Sequence, residues 1–535
     1  MDHTFPFPDT PCEGFLSHAT LSIFGLPARA TPRLWRTLTR MATVVEVPVD
    51  VARQREVVSA LAAFLPERSL LYEREDVQPY ECDGLSAYRQ LPMVVTLPET
   101  EAQVQRILKT CYALKVPVVA RGAGTGLSGG ALPPGNGVLL SLARFMRILD
   151  IDPAARTARL QPGVRNLAIS EAAAPYGLYY APDPSSQIAC SIGGNVAENA
   201  GGMHCLKYGL TVHNILQLRV LTIEGEVLEI GAGGLDAAGY DLLALLTGSE
   251  GLLAVITEIT VKLLPTPERA QCILAAFDDV AKAGEAVASI IAAGIVPAGL
   301  EMMDKITTGA VEPFVNAGYP LEAAAILLCE SDGNDAEVTE EIGRMKAVMH
   351  ASGATEVRVS QSEAERLKFW AGRKAAFPAA GRVSPDYYCM DGTIPKKALP
   401  RVLNAITQLS EKYALRCMNV FHAGDGNLHP LILYDANQPG ELERTERFGA
   451  EILQLSIDVG GTISGEHGVG VEKIDAMCVQ FRPAELATFH AVKAAFDEHL
   501  LLNPGKAVPT LHRCAEFGRM HVHAGQQKFP DLPRF

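Results

Sequence analysis

Val116-Pro-Val-Val-Ala-Arg121-Gly-Ala-Gly-Thr-Gly-Leu-Ser-Gly-Gly130-Ala-Leu-Pro-Pro-Gly135 decides how the first half of this 535-residue chain folds. The apolar run 116–120 reads as a buried strand. The glycines that follow let the backbone reach positive φ and turn consecutive N–H groups towards one point. That is an anion nest suited to a pyrophosphate. Gly124 to Gly129 satisfies G-x-G-x-x-G, but a dinucleotide fingerprint must open a helix. Here Pro133-Pro134-Gly135 comes next and then a further strand, 137–141. No Lys follows the glycines either, which excludes a Walker loop. The nest must hold phosphate without a helix dipole.

Two further segments share this character. Pro182-Asp-Pro-Ser-Ser-Gln-Ile-Ala-Cys-Ser-Ile-Gly-Gly-Asn-Val-Ala-Glu-Asn-Ala-Gly-Gly202 is dense in glycine, asparagine and serine, and Thr247-Gly-Ser-Glu-Gly251 is the third. Three such segments imply an extended polar cofactor lying across the first domain. Around them the pattern predicts a helix over 101–115 and strands at 147–151 and 157–161. It also predicts a helix over 164–174, a hairpin 216–223/226–230 around Glu224-Gly225, and an alternating half-buried strand 254–264.

Pro265-Thr-Pro267 marks a domain boundary. Beyond it, strand 272–277, helix 280–293, strand 298–302, strand 323–330, helix 336–350 and strand 355–359 give the βαββαβ order of a ferredoxin-like sheet with helices on one face. Helices at 363–380, 396–412 and 441–459 then surround the strands that carry a histidine hairpin.

That hairpin is His422-Ala-Gly-Asp-Gly-Asn-Leu-His429, with Glu466-His467 downstream. Imidazole and carboxylate are what a divalent first-row metal binds, so His422, His429 and Glu466 form a three-ligand candidate with open positions. His467 is left over as a proton acceptor. The same donor set also fits a non-haem iron oxygenase or a zinc hydrolase. Both leave the three glycine segments without a purpose.

Composition narrows the class. A net charge of −14 with no Lys/Arg block argues against nucleic acid, and the absence of a run of about 18 apolar residues predicts no membrane span. Eleven scattered cysteines without a Cys-x-x-Cys pair read as free thiols in a reducing compartment. From Gly14 to Val45 there is no acid, while Arg29, Arg33, Arg36 and Arg40 recur. A transit peptide has this look; we read residues 1–48 as a disordered extension, or as the product of an upstream start codon with Met41 as the real start. His512, Cys514, His521 and His523 lack tight ligand spacing, so residues 508–535 read as a tail or docking segment rather than a second metal site.

The three glycine segments resemble the FAD-binding domain of the vanillyl-alcohol oxidase superfamily. With His422–His429, Ser464-Gly-Glu-His-Gly468 and Leu502-Asn-Pro-Gly-Lys506, they resemble its 2-hydroxy-acid dehydrogenase branch. That branch includes D-lactate and D-2-hydroxyglutarate dehydrogenases and the FAD-linked subunits of bacterial glycolate oxidases, to which the likeness is closest. The resemblance implies an α+β chain. A vanillyl-alcohol-oxidase-type FAD-binding domain (49–265) is followed by a ferredoxin-like substrate and metal domain (266–507) ending in helices. It implies that Gly122, Gly124, Thr125, Gly126 and Ser128 hold the FAD pyrophosphate. Pro182, Gly193, Gly194, Asn199 and Ile256 would line the flavin and adenine ends. Asn503 and Lys506 would approach the isoalloxazine. No His stands in the first loop, so FAD should be non-covalent.

For chemistry, the resemblance implies FAD-dependent oxidation of glycolate to glyoxylate, and of D-lactate to pyruvate, with an acceptor other than NAD or oxygen. A zinc or manganese ion would sit on His422, His429 and Glu466, with His467 as base and Arg373 as clamp on the substrate carboxylate. The implied partners are a second FAD-binding-type subunit and an iron–sulfur subunit. They would deliver electrons to membrane quinone from a cytoplasmic position peripheral to the inner membrane. A stand-alone D-lactate dehydrogenase and a non-catalytic FAD-binding subunit are the competing readings. Three departures stand out: Ala254 for a usual Gly, Asp497-Glu-His-Leu before Asn503, and Leu431 where 2-hydroxyglutarate enzymes carry a polar residue. The last speaks against a dicarboxylate.

Physical chemistry gives the metal a reason. An alcohol near pKa ~15.7 faces imidazole near ~6.5, a gap of ~9 units or ~12 kcal/mol. A zinc-like ion lowers a bound O–H to about 7. Metal and His together close a gap that neither closes alone.

Overall fold

Helix Glu101–Leu114 begins where Thr100 accepts the Gln103 N–H and ends at Lys115 in the left-handed region (φ 53°). Its buried stripe of Val104, Ile107, Leu108 and Cys111 covers a sheet whose strands Val94–Thr96, Val138–Ser141 and Val118–Arg121 run parallel. Strand Val118–Arg121 then delivers the glycine loop, and no helix intervenes before Val138–Ser141. The computed structural model describes residues 49–234 and 239–509. The expectations for the extension and for most of the tail therefore lie outside the described residues.

A second, antiparallel sheet of the first domain orders its strands Ile148–Asp152, Thr157–Leu160, Val255–Lys262, Ile215–Leu221 and Val227–Gly231. Val255–Lys262 alternates buried and half-buried side chains along its whole length, as its period-two sequence requires. The Leu501–Asn503 segment, far along the chain, returns to this domain. Leu502 bridges Val118 in parallel, the Val118 N–H donates to Leu501 O at 2.8 Å, and the Asn503 N–H donates to Val118 O at 2.8 Å. Leu501 and Leu502 join the core under helix Glu101–Leu114.

In the second domain, Glu356–Val359, Arg269–Phe277, Ala325–Gly333 and Gly299–Asp304 lie side by side in that order, all antiparallel. This is the ferredoxin-like 4-1-3-2 arrangement. Two details differ from the sequence reading. Helix Lys305–Val315, capped by Asp304, stands between strands Gly299–Asp304 and Ala325–Gly333, where no element was expected. Helices also cover both faces rather than one. Val280–Ala292 and Asp335–Ala351 pack on one side, and Lys305–Val315, Glu363–Lys374 and Ala376–Val383 on the other. The last two were expected as a single helix. They break at Ala375 because Pro378 has no N–H to offer the Lys374 carbonyl.

Strand Cys417–His422 extends this sheet by pairing with Gly299–Asp304, which places His422 opposite Glu301. The chain then turns through Asn427–Leu428 into Pro430–Tyr434. Cys82, Cys111, Cys190, Cys205, Cys272, Cys329, Cys389 and Cys417 are free thiols.

Candidate active site

His422 closes its strand and His429 follows the tight turn, so the hairpin presents both rings to one spot. Their centroids are 5.1 Å apart and nearly perpendicular. Glu466 arrives from the loop after helix Glu441–Asp458. Its Oε1 lies 3.1 Å from His429 Nε2 and 3.4 Å from His422 Nε2. The three predicted ligands thus meet, with their donor atoms within 4.8 Å of one another.

The charges of the cluster are tightly linked. Burial would lower the pKa of His422, yet the carboxylates of Glu301 and Glu466 outweigh it and hold the ring well above its ordinary value. Burial likewise would raise Glu466, but His422 and His429 pull it well below the carboxylate range. Glu301 meets His422 Nδ1 at 2.6 Å with an oxygen that only accepts. Nδ1 therefore carries a hydrogen to Glu301, and Nε2 is the ring atom that faces the cluster, where a bound metal would replace its proton.

Asp391, His429 and His467 form a second grouping of similar span. Asp391 is already saturated. It accepts the N–H groups of Gly465, Glu466 and His467, the Ser464 hydroxyl at 2.7 Å and Lys473 Nζ at 3.0 Å. It is better described as the anchor of the 464–467 turn than as a ligand.

His467 stacks on His429 at 4.9 Å with the rings 4° from parallel. Its Nδ1 is buried without a partner. Burial is the main cause that pushes its pKa down to about 4, so the imidazole is neutral near pH 7.

Arg373 lies near the end of helix Glu363–Lys374 with 1% of its surface exposed, contrary to the solvated default for such a position. Nε donates to Glu301 Oε2 at 2.6 Å, while Nη1 and Nη2 are buried with no partner. Leaving four charged donors unmet is costly. A carboxylate satisfies them.

A cavity of about 490 Å³ joins the glycine segments to this cluster. Gly122, Gly124, Thr125, Gly126, Gly193, Gly194 and Ile256 line it, as do His429, Glu466 and His467. The departing Ala254 also lies on the wall. The remaining predicted cofactor residues stand behind it. Ser128 O accepts the N–H groups of Val471 and Glu472, and Pro182 O accepts from Asn166 Nδ2. Asn199 Oδ1 accepts the Val212 N–H. Asn503 Nδ2 donates to Gly130 O and Glu250 O, and Lys506 Nζ donates to Gly130 O and Leu132 O. These five shape the backbone that forms the wall. Leu431 is fully buried in the apolar core.

Sequence reasoning missed Glu301, Asp391, Lys473 and Glu250. Glu301, Asp391 and Glu250 are acids in otherwise apolar or glycine-rich stretches, which was the available signal; Lys473, beside Glu472, carried none. Glu250 crosses between domains by accepting the Val469 and Gly470 N–H groups, both at 2.7 Å. The approach there is close throughout: a Cβ added at Gly201 would run into the Glu466 carboxylate.

Residues 92–231 match the family "FAD binding domain", and residues 266–507 match "FAD linked oxidases, C-terminal domain". The chain belongs to the FAD-linked oxidase family, and FAD is its cofactor. Among individual relatives, it is 64% identical to glycolate oxidase subunit GlcD of Escherichia coli, over 91% of this chain and 97% of that protein. It is 32% identical to a D-lactate dehydrogenase of Anaerostipes hadrus, over 84% and 97% of the two chains. The fold matches p-cresol methylhydroxylase with a TM-score of 0.74 at 18% identity, covering 88% of this chain and 99% of that one. The first half therefore has the vanillyl-alcohol-oxidase-type architecture, on a chain of FAD-linked hydroxy-acid oxidoreductase type.

Proposed function

We propose that this protein oxidises glycolate to glyoxylate, and D-lactate to pyruvate, as the catalytic subunit of a multisubunit dehydrogenase. The observation that carries the reading is the single cavity whose wall runs from the glycine loop to His467, Glu466 and His429. Bound FAD supplies the acceptor for the hydride on the substrate Cα. A divalent ion, zinc or manganese, on His422, His429 and Glu466 supplies the Lewis acidity that brings a hydroxyl near pKa ~7.

The chain's own groups do the rest. His467 accepts the hydroxyl proton. Its imidazole, at about 4, is a weak base. Against an unassisted alcohol at ~15.7 it would face a gap of about 12 units, ~16 kcal/mol. Against a hydroxyl at ~7 the gap is about 3 units, ~4 kcal/mol, which an enzyme active site accommodates. Arg373 offers its free Nη1 and Nη2 to the substrate carboxylate as a planar fork. Gly122, Gly124, Thr125, Gly126 and Ser128 would shape the pyrophosphate cradle, with Pro182, Gly193, Gly194, Asn199 and Ile256 along the rest of FAD. Asn503 and Lys506 would support the isoalloxazine end through the backbone they hold.

The name of the E. coli relative describes a subunit. We assign the partners as a second FAD-binding-type subunit and an iron–sulfur subunit that pass electrons to quinone. No helix among the described residues is long and apolar enough to cross a membrane, so membrane contact would come through those partners.

The test is anaerobic mixing of the purified protein with glycolate, then D-lactate, while following flavin absorbance and assaying bound metal. Rapid bleaching with about one metal per chain is expected. Faster bleaching by D-lactate favours the D-lactate dehydrogenase reading. Metal-bearing flavoprotein that neither acid bleaches overturns the assignment.

A further inference from the structure

We propose that Glu301 is the positioning residue that fixes the metal ligand His422 and the substrate clamp Arg373 relative to each other. The inference rests on the metal and clamp assignments just made. It goes beyond them by giving one carboxylate control of the spacing between the two.

Glu301 is an acid in the strand Gly299–Asp304, between Leu300 and Met302, with 1% of its surface exposed. A buried carboxylate in the middle of a sheet is retained against a desolvation cost, so both of its oxygens need partners. Both have one. Oε1 meets His422 Nδ1 at 2.6 Å, and Oε2 accepts from Arg373 Nε at 2.6 Å. The strand register makes the first contact inevitable, because Glu301 and His422 are direct cross-strand partners.

The way each partner is held matters more than the holding itself. A carboxylate that only neutralised Arg373 would take the fork of the guanidinium with both oxygens. Glu301 takes Nε alone, from the side. The fork, Nη1 and Nη2, stays buried and unmet. On the imidazole, Glu301 takes Nδ1 and leaves Nε2 3.4 Å from Glu466 Oε1, inside the ligand cluster. Each partner is thus gripped by the atom that its proposed task does not use.

The substrate explains why the two need a common support. In a 2-hydroxy acid the hydroxyl oxygen and the carboxylate sit on adjacent carbons. An ion at the hydroxyl and a guanidinium at the carboxylate must therefore keep a fixed separation. A misplacement of about 1 Å costs on the order of 10²-fold in rate. Sharing one carboxylate ties the two ends to a single backbone position.

The test uses the full-length, FAD-loaded protein with Glu301→Gln and Glu301→Asp. Two quantities are read: metal affinity by chelator competition, and KM against kcat for glycolate-driven flavin reduction. In Glu301→Gln the amide turns an N–H towards one of two donors, so one grip is lost whichever way it flips. The expected result is metal binding weakened about 10- to 100-fold, a glycolate KM raised about tenfold or more, or both, at unchanged FAD content. Glu301→Asp keeps the buried charge but is one methylene shorter and cannot span both partners. It should lose one of the two properties and retain the other. A purely structural Glu301 would lower melting temperature and FAD loading in both variants. It would leave metal affinity and KM of the FAD-loaded fraction at wild-type values, and that result overturns the proposal. If Glu301→Gln yields no FAD-loaded protein, Glu301→Asp decides on the same two readouts. Wild-type protein that carries no metal, or that glycolate does not bleach, overturns the underlying assignments as well. A normal wild type with unaffected variants overturns this inference alone.

Discussion

Replacing Asp391 by Asn should cost more than replacing its partner Lys473 by Met, although the two form one buried ion pair. Both side chains of the pair have 0% exposure, and Nζ sits 3.0 Å from Oδ2. Asp391→Asn leaves the Lys473 ammonium in the interior with Gly468 O at 2.9 Å and Glu472 at 3.7 Å. Stranding one member of a buried pair costs about 3–5 kcal/mol. For a domain of this size that lowers Tm by roughly 6–20 °C. The amide NH2 would also face the N–H groups of Gly465, Glu466 and His467, all of which now donate to the carboxylate. The turn that carries Glu466 and His467 should shift, and flavin reduction by glycolate should fall at least 10²-fold. Lys473→Met, by contrast, leaves Asp391 with those three N–H groups and the Ser464 hydroxyl. It removes one charged hydrogen bond, about 1.5–3 kcal/mol, and should cost less than tenfold in rate. Scanning calorimetry and stopped-flow absorbance on both variants measure the asymmetry. An Asp391→Asn protein that melts within about 2 °C of wild type, or no lower than Lys473→Met, refutes the reasoning.

Three further outcomes are expected. His467→Ala should retain FAD and metal but lose flavin reduction by about 10²–10⁴-fold in anaerobic stopped-flow; near-normal turnover would remove it as the base. Gly201→Ala places a methyl group against the Glu466 carboxylate and should release metal without loss of FAD, read by metal analysis of the purified protein. The Glu472 side chain is buried and its oxygens lack hydrogen-bond partners; burial raises it to about 7, opposed by Lys473 at 3.7 Å and reinforced by Asp391. A carboxyl whose folded pKa lies above its unfolded value of ~4.3 binds its proton more tightly when folded. Its penalty is therefore absent below about pH 4, grows as pH rises, and is complete above 7, at roughly 4 kcal/mol. Glu472→Gln should match wild-type stability in denaturant melts near pH 4 and exceed it at pH 8; equal curves at both pH values would count against that account.

Much of the site was legible because its chemistry sits in short, improbable strings. His422 and His429 flank a turn of glycines, and Glu466-His467 stands between glycines. Neither spacing serves a packed core. The rejection of a nucleotide-binding helix after Gly129 was also legible, since Pro133 and Pro134 forbid one. What the sequence concealed depends on pairings across strands. Glu301 becomes informative only once the Gly299–Asp304 strand is set beside Cys417–His422, a separation of 121 residues between hydrogen-bonded side chains. Asp391 is similar, acting 76 residues away on the His467 N–H. Helix Lys305–Val315 was missed because Gly309 and Pro313 depress helix propensity, and burial of Thr307, Thr308 and Val311 overrides it. Arg373 looked like a surface cation by local pattern. Tertiary burial reversed that.

The return of Leu501–Asn503 to the edge of Val118 has a bearing on how the protein is made. Val118 lies on the strand that delivers the glycine loop, yet its neighbour Leu502 is translated some 384 residues later. A ribosome will have finished the entire second domain before this sheet gains its last strand. Until then the Val118 edge is bare, and bare edges invite pairing with other chains. A product cut short before residue 500 would keep every glycine of the FAD cradle but lack Asn503 and Lys506 behind Gly130. A chain released early should therefore hold flavin less well and leave a strand edge open to pairing, which binding and light-scattering measurements on a 1–499 truncation would check.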